Sequence, residues 1–168
     1  YTLSNDGDVG PNNGGINSWT VKTDVSGNLI WKSVFGGSSR DQCRALLSSP
    51  EGGSIGFGQT NSQDFGITTS NNSTDGLLIK YTSAGQIEWH EQYGGPLEEV
   101  INNAFPTLDG GYIMSSNYSV TSGEVAPGRG NNDGHLKKLK EPAITACLNS
   151  TITFSNTSVN GISYLWKV

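Results

Sequence analysis

The chain has 168 residues, a formal net charge of -5, 33% hydrophobic and 15% charged residues, and 23 glycines. That balance excludes a surface built to neutralise phosphates, because nucleic-acid recognition rests on clusters of Lys and Arg, and no stretch approaches the ~20 apolar residues of a membrane-spanning helix. Lys and Glu are scarce, whereas Val, Ile, Tyr, Trp and Thr fall in short runs between turn-forming residues, so the expected class is all-β.

In chain order, YTLSNDGDVG reads as the end of a strand followed by a loop, with no starting Met or signal peptide, as expected of the interior or mature part of a longer polypeptide. Within NDGDVGPNNGG, Asp6, Asp8 and Asn12 offer the hard oxygens that Ca²⁺ prefers; the competing reading is an Asx-type polar turn. A strand ending at Lys22 follows. DVSGNLIWKSVFGG then supplies a turn at Gly27, an indole at Trp31 and the glycine pair Gly36 and Gly37. Cys43, inside QCRALL, reads as a small buried hydrophobe. Together with Cys147 it gives too few cysteines for a disulfide framework, and pairing between the two stays open. EGGSIGFGQT forms a further turn and strand, and residues 61–74 form a long loop rich in Asn, Ser, Thr and Gly.

The pattern then restarts. Residues 18–61 align without a gap on residues 76–119 at a constant offset of 58, matching Lys22 with Lys80, Gly27 with Gly85, Trp31 with Trp89, and Gly36 and Gly37 with Gly94 and Gly95. Conservative matches add Phe35 with Tyr93, Asp41 with Glu99 and Glu51 with Asp109. The same offset carries DGLLIKY at Asp75 onto DGHLKKL at Asp133, so a third copy begins. Expected strands in the middle of the chain run near 77–82, 86–93, 100–107 and 112–118. SAGQ and LDGG join neighbours through glycines that reach positive φ without steric cost. A four-stranded antiparallel unit recurring every ~40–50 residues or more is the mark of a β-propeller blade. Copies are expected near 1–37, 38–95 and 96–140.

Catalytic chemistry finds little support. His90, in EWHEQ with Glu88 and Glu91, alternates to the opposite face from its immediate neighbours along a strand, and His135 follows a turn. No nucleophile motif accompanies these two histidines. Glu98 and Glu99 are adjacent on a strand start and point apart, unlike the facing carboxylates of glycoside hydrolysis. APGRGNNDG has glycines but no helix pattern after them to cradle a phosphate. HLKKLK, the one dense basic run, reads as a strand and exit linker with solvated lysines.

Asp24, Gly27 and Trp31 form D-x-x-G-x-x-x-W, which resembles the tryptophan-docking motif of the propellers in pyrroloquinoline-quinone dehydrogenases and their non-enzymatic relatives. The resemblance implies that Trp31 and Trp89 anchor adjacent blades while Gly27 and Gly85 make the preceding turns; the second copy departs from the motif with Thr82 in place of Asp. Between Ser4 and Leu139, the series SNDGDVG, SGNLIW, FGG and EGGSIGFGQT is similar to propeller-type repeats of large secreted bacterial surface proteins that use the type IX export route. In those proteins such repeats precede polycystic-kidney-disease-type or immunoglobulin-like modules, and residues 141–168, with ACLNSTITFSNTSVNGISYLWKV, resemble the beginning of such a β-sandwich.

Propellers close with ~4–8 blades, so the ring expected here is incomplete. The function this implies is a non-catalytic extracellular or cell-surface module for adhesion or assembly, binding other protein chains or surface glycans through its polar loops. Two further readings are an ancillary segment of a larger secreted hydrolase or quinoprotein, and a subunit of a self-assembling filament whose open strand edges pair.

Overall fold

The computed structural model describes residues 1–69, 73–118, 133–140 and 164–166. Those residues form β1 (Ser18–Thr23), β2 (Leu29–Phe35), β3 (Asp41–Ser48), β4 (Ser54–Thr60), β5 (Asp75–Tyr81), β6 (Ile87–Tyr93), β7 (Glu99–Pro106), β8 (Tyr112–Tyr118), β9 (Asp133–Lys140) and β10 (Tyr164–Trp166), with no helix among them. The class is all-β. The 58-residue offset carries β1 to β5 onto β5 to β9 in order.

Three separate sheets result, none closed on itself. The antiparallel pair β1–β2 forms the first, the antiparallel meander β3–β4–β5–β6 the second, and β7–β8–β9 the third. The short β10 lies beside β9 in parallel, at the edge position that β6 fills in antiparallel sense in the middle sheet. The rest of the stretch read as a β-sandwich module, with Cys147, lies outside the described residues, as does the loop 119–132.

Four hairpin turns share one geometry. In Asp24–Asn28, Ser49–Gly53, Thr82–Gln86 and Thr107–Gly111 the first residue's N–H donates to the carbonyl four residues on, and the glycine in fourth place donates back to the first residue's carbonyl. Those glycines, Gly27, Gly52, Gly85 and Gly110, have φ of 86°, 86°, 81° and 80°. Only glycine enters this left-handed region without a Cβ penalty, and a turn closed this way matches the twist of the strands it joins. Asp24 adds a carboxylate that accepts from the Asn28 side chain at 2.8 Å and from the Ser26 and Asn28 backbone at 2.8 and 2.9 Å. The Asn28 side-chain and backbone hydrogen bonds hold its carboxyl below the ordinary range.

The sheets stack face to face. Trp31 and Phe35 of β2 meet Ile67, Leu77, Ile79 and Tyr81 of the next unit, and a second cluster joins Ile55, Phe57 and Leu78 of the middle sheet to Ile101, Tyr112 and Met114 of the third. Because both faces of the middle sheet are covered, every residue of β5, DGLLIKY, is buried. Alternation alone would leave half of that strand in water. Each fully buried Leu, Ile or Phe contributes about 1.5–3 kcal/mol, so the two interfaces supply the cohesion that a lone four-stranded sheet lacks.

Polar ties repeat with the strands. Lys80 on β5 reaches Glu51 in the β3–β4 turn, and Lys138 on β9 reaches Asp109 in the β7–β8 turn at 2.5 Å. Hydrogen bonds from Lys138 and Thr107 hold the Asp109 carboxyl well below the carboxylate range. Lys137 also lies 4.2 Å over the Tyr93 ring, tying the third sheet to the edge of the second.

Between the first two sheets, Thr20 donates to the Tyr81 hydroxyl at 3.2 Å. Burial raises the Tyr81 phenol well above the ordinary tyrosine range, with the Thr20 bond working in the opposite direction. The unfolded chain therefore releases this proton first, near pH ~10, so the contribution is intact below that pH and is lost as pH rises above it. Tyr81→Phe removes both the bond, worth about 0.5–1.5 kcal/mol, and the titration. The expected result is a lower urea midpoint at neutral pH but a shallower alkaline decline than the parent's; parallel declines would refute the assignment.

Candidate functional site

One edge of the stack carries the four tight turns; the opposite edge carries the long segments leading into β1 and linking β4 to β5, together with the glycine pairs that join one sheet to the next. On this second edge the repeat builds the same clamp twice. Gly37 N–H donates to Asp41 Oδ2 at 2.9 Å, and Gly95 N–H donates to Glu99 Oε2 at 2.9 Å. Both carboxylates are buried. A Cβ on Gly36 would collide with Asp41 and Asn17, and one on Gly94 with Asp75 and Glu99, so the first glycine of each pair lets the side chains close over the chain reversal.

Asp41 collects more donors from the loop after β4. Ser62 donates to Oδ2 at 2.7 Å, and Thr60 donates to Oδ1. Ser39 N–H donates to the Ser62 hydroxyl at 3.1 Å, and Ser38 N–H to Asp64 Oδ1 at 2.9 Å. Hydrogen bonds from Ser38 lower the Asp64 carboxyl from its ordinary value. Residues 62–64 are thereby pinned to the crossing between the first and second sheets. Ser73 does the same work one sheet later, donating to Asp75 Oδ1 at 3.0 Å and to the Gly95 carbonyl at 3.2 Å.

The three candidate calcium ligands engage separate partners. Asp6 accepts from the Ser4 hydroxyl at 2.5 Å, and Asp8 uses its carbonyl to accept from Lys32 at 2.6 Å. Asn12 Oδ1 accepts from Gly14 N–H at 3.1 Å and from the Asn17 amide at 2.5 Å, while its own amide donates to the Thr2 and Ser4 carbonyls at 3.5 and 3.2 Å. These are the bonds of a polar turn. Among the described residues no group of three or more His, Cys, Asp or Glu side chains is placed to hold a metal ion.

Trp31 leaves the first sheet and docks on the β5–β6 turn of the second. Its indole N–H donates to the Ser83 carbonyl at 3.1 Å, its ring stacks on Tyr81 at 5.9 Å and 26°, and its face covers Gly85, where an added Cβ would strike the indole. Trp89 packs against the second cluster, which contains Leu139, the residue one repeat after Tyr81. The segment that corresponds to the turn beneath Trp31 lies outside the described residues.

His90 rests against the Phe35 ring at 4.8 Å with the Gln92 amide 3.0 Å from Nδ1, which fixes it in the interface between sheets. Burial lowers the His135 imidazole, and the Lys137 charge lowers it further. Glu98 is exposed and Glu99 buried, so the two adjacent carboxylates point apart.

One residue of this edge stands out that the sequence reading passed over. Phe65, in the loop between β4 and β5, has φ of 52° and is 62% exposed. It is the one non-glycine residue with positive φ among those described. One repeat earlier Gly7 has the same φ of 52°, so the backbone turn is common to both copies while the side chain is not. A bulky residue in that region costs about 1–2 kcal/mol relative to glycine. The sequence held the signal as a Gly-to-Phe exchange at the offset of 58.

The loop neighbours of Phe65, Gln63 and Thr68, are polar and exposed, and the loop beside it is tied to the crossing by the Ser38–Asp64 and Ser39–Ser62 hydrogen bonds. An apolar face flanked by amides and hydroxyls can stack on a sugar ring or seat in a partner's pocket. Among known proteins, no family profile and no curated sequence matches this chain.

Proposed function

We propose that this chain is a non-catalytic binding module of an extracellular surface protein, in which propeller-type blades form a rigid stack and the loops of one edge contact glycan or protein partners. The observation that carries the reading is Phe65, an exposed aromatic outside both hydrophobic clusters and held at a conformational cost. Strain of this kind persists where a function selects it. The repeated clamps and docking turns support the same division of labour, since they fix the frame and leave the loop sequences free to differ.

The test compares Phe65→Gly with the parent on two readouts. Glycine removes the left-handed penalty, so the melting midpoint is expected to rise, by about 1 kcal/mol of stability. Retention on immobilised surface polysaccharides and surface proteins is expected to fall at least tenfold. A variant that gains stability and keeps full retention would overturn the reading. So would turnover of a retained glycan, which would make the chain part of a hydrolase.

A further inference from the structure

The outer face of the first sheet repeats most of the face that the middle sheet presents to Trp31, with the exposed Thr23 in place of the stacking ring of Tyr81. The middle sheet offers Ile67, Leu77 and Ile79, with Gly85 as the platform for the indole and the Ser83 carbonyl as acceptor for its N–H. At the offset of 58 these become Val9, Trp19, Val21, Gly27 and Val25. Leu77 and Ile79 are each 1% exposed, whereas Trp19 is 37% and Val21 36% exposed. A Cβ built on Gly85 meets the indole; one built on Gly27 meets nothing within 4 Å. The turn geometry is nonetheless the same, with φ of 86° at Gly27 and 81° at Gly85. Val25, whose carbonyl corresponds to the acceptor at Ser83, is fully exposed.

We infer that this face is a docking surface for a further sheet of the same repeat, one that carries a W-x-x-x-[F/Y]-G-G strand and lies outside the sheets of this chain. Its indole would lie on Gly27 and donate to the Val25 carbonyl, and its aromatic four residues on would cover Trp19 and Val21. A second copy of the chain does not fit the requirement. Trp31 and Trp89 are both engaged in interfaces within the chain, and the next positions in the series hold Cys147 and Thr151, which supply neither ring. The inference rests on the sheet packing and is independent of the reading of Phe65.

Because, among the described residues, a two-stranded hairpin supplies the ring that covers this face of the middle sheet, a hairpin suffices as probe. A cyclised synthetic peptide of residues 18–37 is titrated into the isotope-labelled chain and followed by amide and indole NMR shifts. The expected result is saturable shifts at the Trp19 indole, Val21, Val25 and Gly27, with a Kd between roughly 10 μM and 1 mM, abolished when the peptide carries Trp31→Ala. Three outcomes overturn the inference: no shifts at about 1 mM peptide; shifts at Leu77, Ile79 and Gly85, which mean exchange with the chain's own hairpin; or concentration-dependent dimerisation that buries Trp19 without peptide, which means a second copy is the occupant.

Discussion

Trp31→Ala is expected to lower the free energy of unfolding by about 3–5 kcal/mol, the range for truncating a buried large aromatic. The indole does three things at once: it fills the space above Gly85, stacks on Tyr81 and donates to the Ser83 carbonyl. The floor beneath it is a turn held by a left-handed glycine, which limits how far the backbone can close over the gap. The loss should concentrate where the indole acts. Native-state hydrogen exchange is expected to show β1 and β2 amides losing protection before those of β7 and β8. Trp31→Phe should recover part of the packing but not the hydrogen bond. An unchanged urea midpoint for the alanine variant, or uniform loss of protection in all three sheets, would contradict this role.

Asp41→Ala should cost on the order of 4 kcal/mol, because it leaves the Gly37 N–H and the Ser62 and Thr60 hydroxyls facing a void where a carboxylate had collected them. Asp41→Asn keeps one acceptor oxygen and should cost about half as much. The two variants separate hydrogen bonding from shape, since asparagine fills the same volume. Glu99→Ala tests whether the second clamp is equivalent; its partner Gly95 N–H is bound at the same 2.9 Å. Urea unfolding of the three variants gives the comparison. Equal costs for Asp41→Asn and Asp41→Ala would mean that packing, and not the collected donors, holds the crossing.

The all-β class was legible because glycine spacing and short apolar runs are local properties of the chain. Strand bounds near 112–118 came out directly, since LDGG marks the turn and the next polar loop marks the end. The sheet partners of those strands were carried by the 58-residue offset and needed no alternation at all. Alternation is no guide to burial here: both faces of β5 are covered by neighbouring sheets, so every residue of the strand is buried. The matches of Asp41 with Glu99 and Glu51 with Asp109 were visible as conserved charge, but their partners were not. For Asp41 and Glu99 the partners are the Gly37 and Gly95 N–H groups, which leave no trace in the sequence, and for Glu51 and Asp109 they are lysines 29 residues on, which only the fold brings near. Asp6 and Asn12 show the opposite case, oxygens gathered in sequence whose individual hydrogen bonds, to Ser4, Gly14 and Asn17, appear only in the fold. Phe65 was hidden because φ is a property of the folded backbone and a lone Phe in a polar loop reads as composition.

A middle layer sandwiched between two others cannot loosen without disturbing both, so damage to the stack must enter from its ends. The β1–β2 hairpin has a partner on one side and water on the other, which makes it the leaf that lifts first. A protease arriving during such a lift would nick the connection between Phe35 and Asp41 and leave the remaining layers standing. Any layer added over Trp19 would move that weak point outward by one unit, so that a longer array would shield its interior in proportion to its length while its tips stayed equally vulnerable.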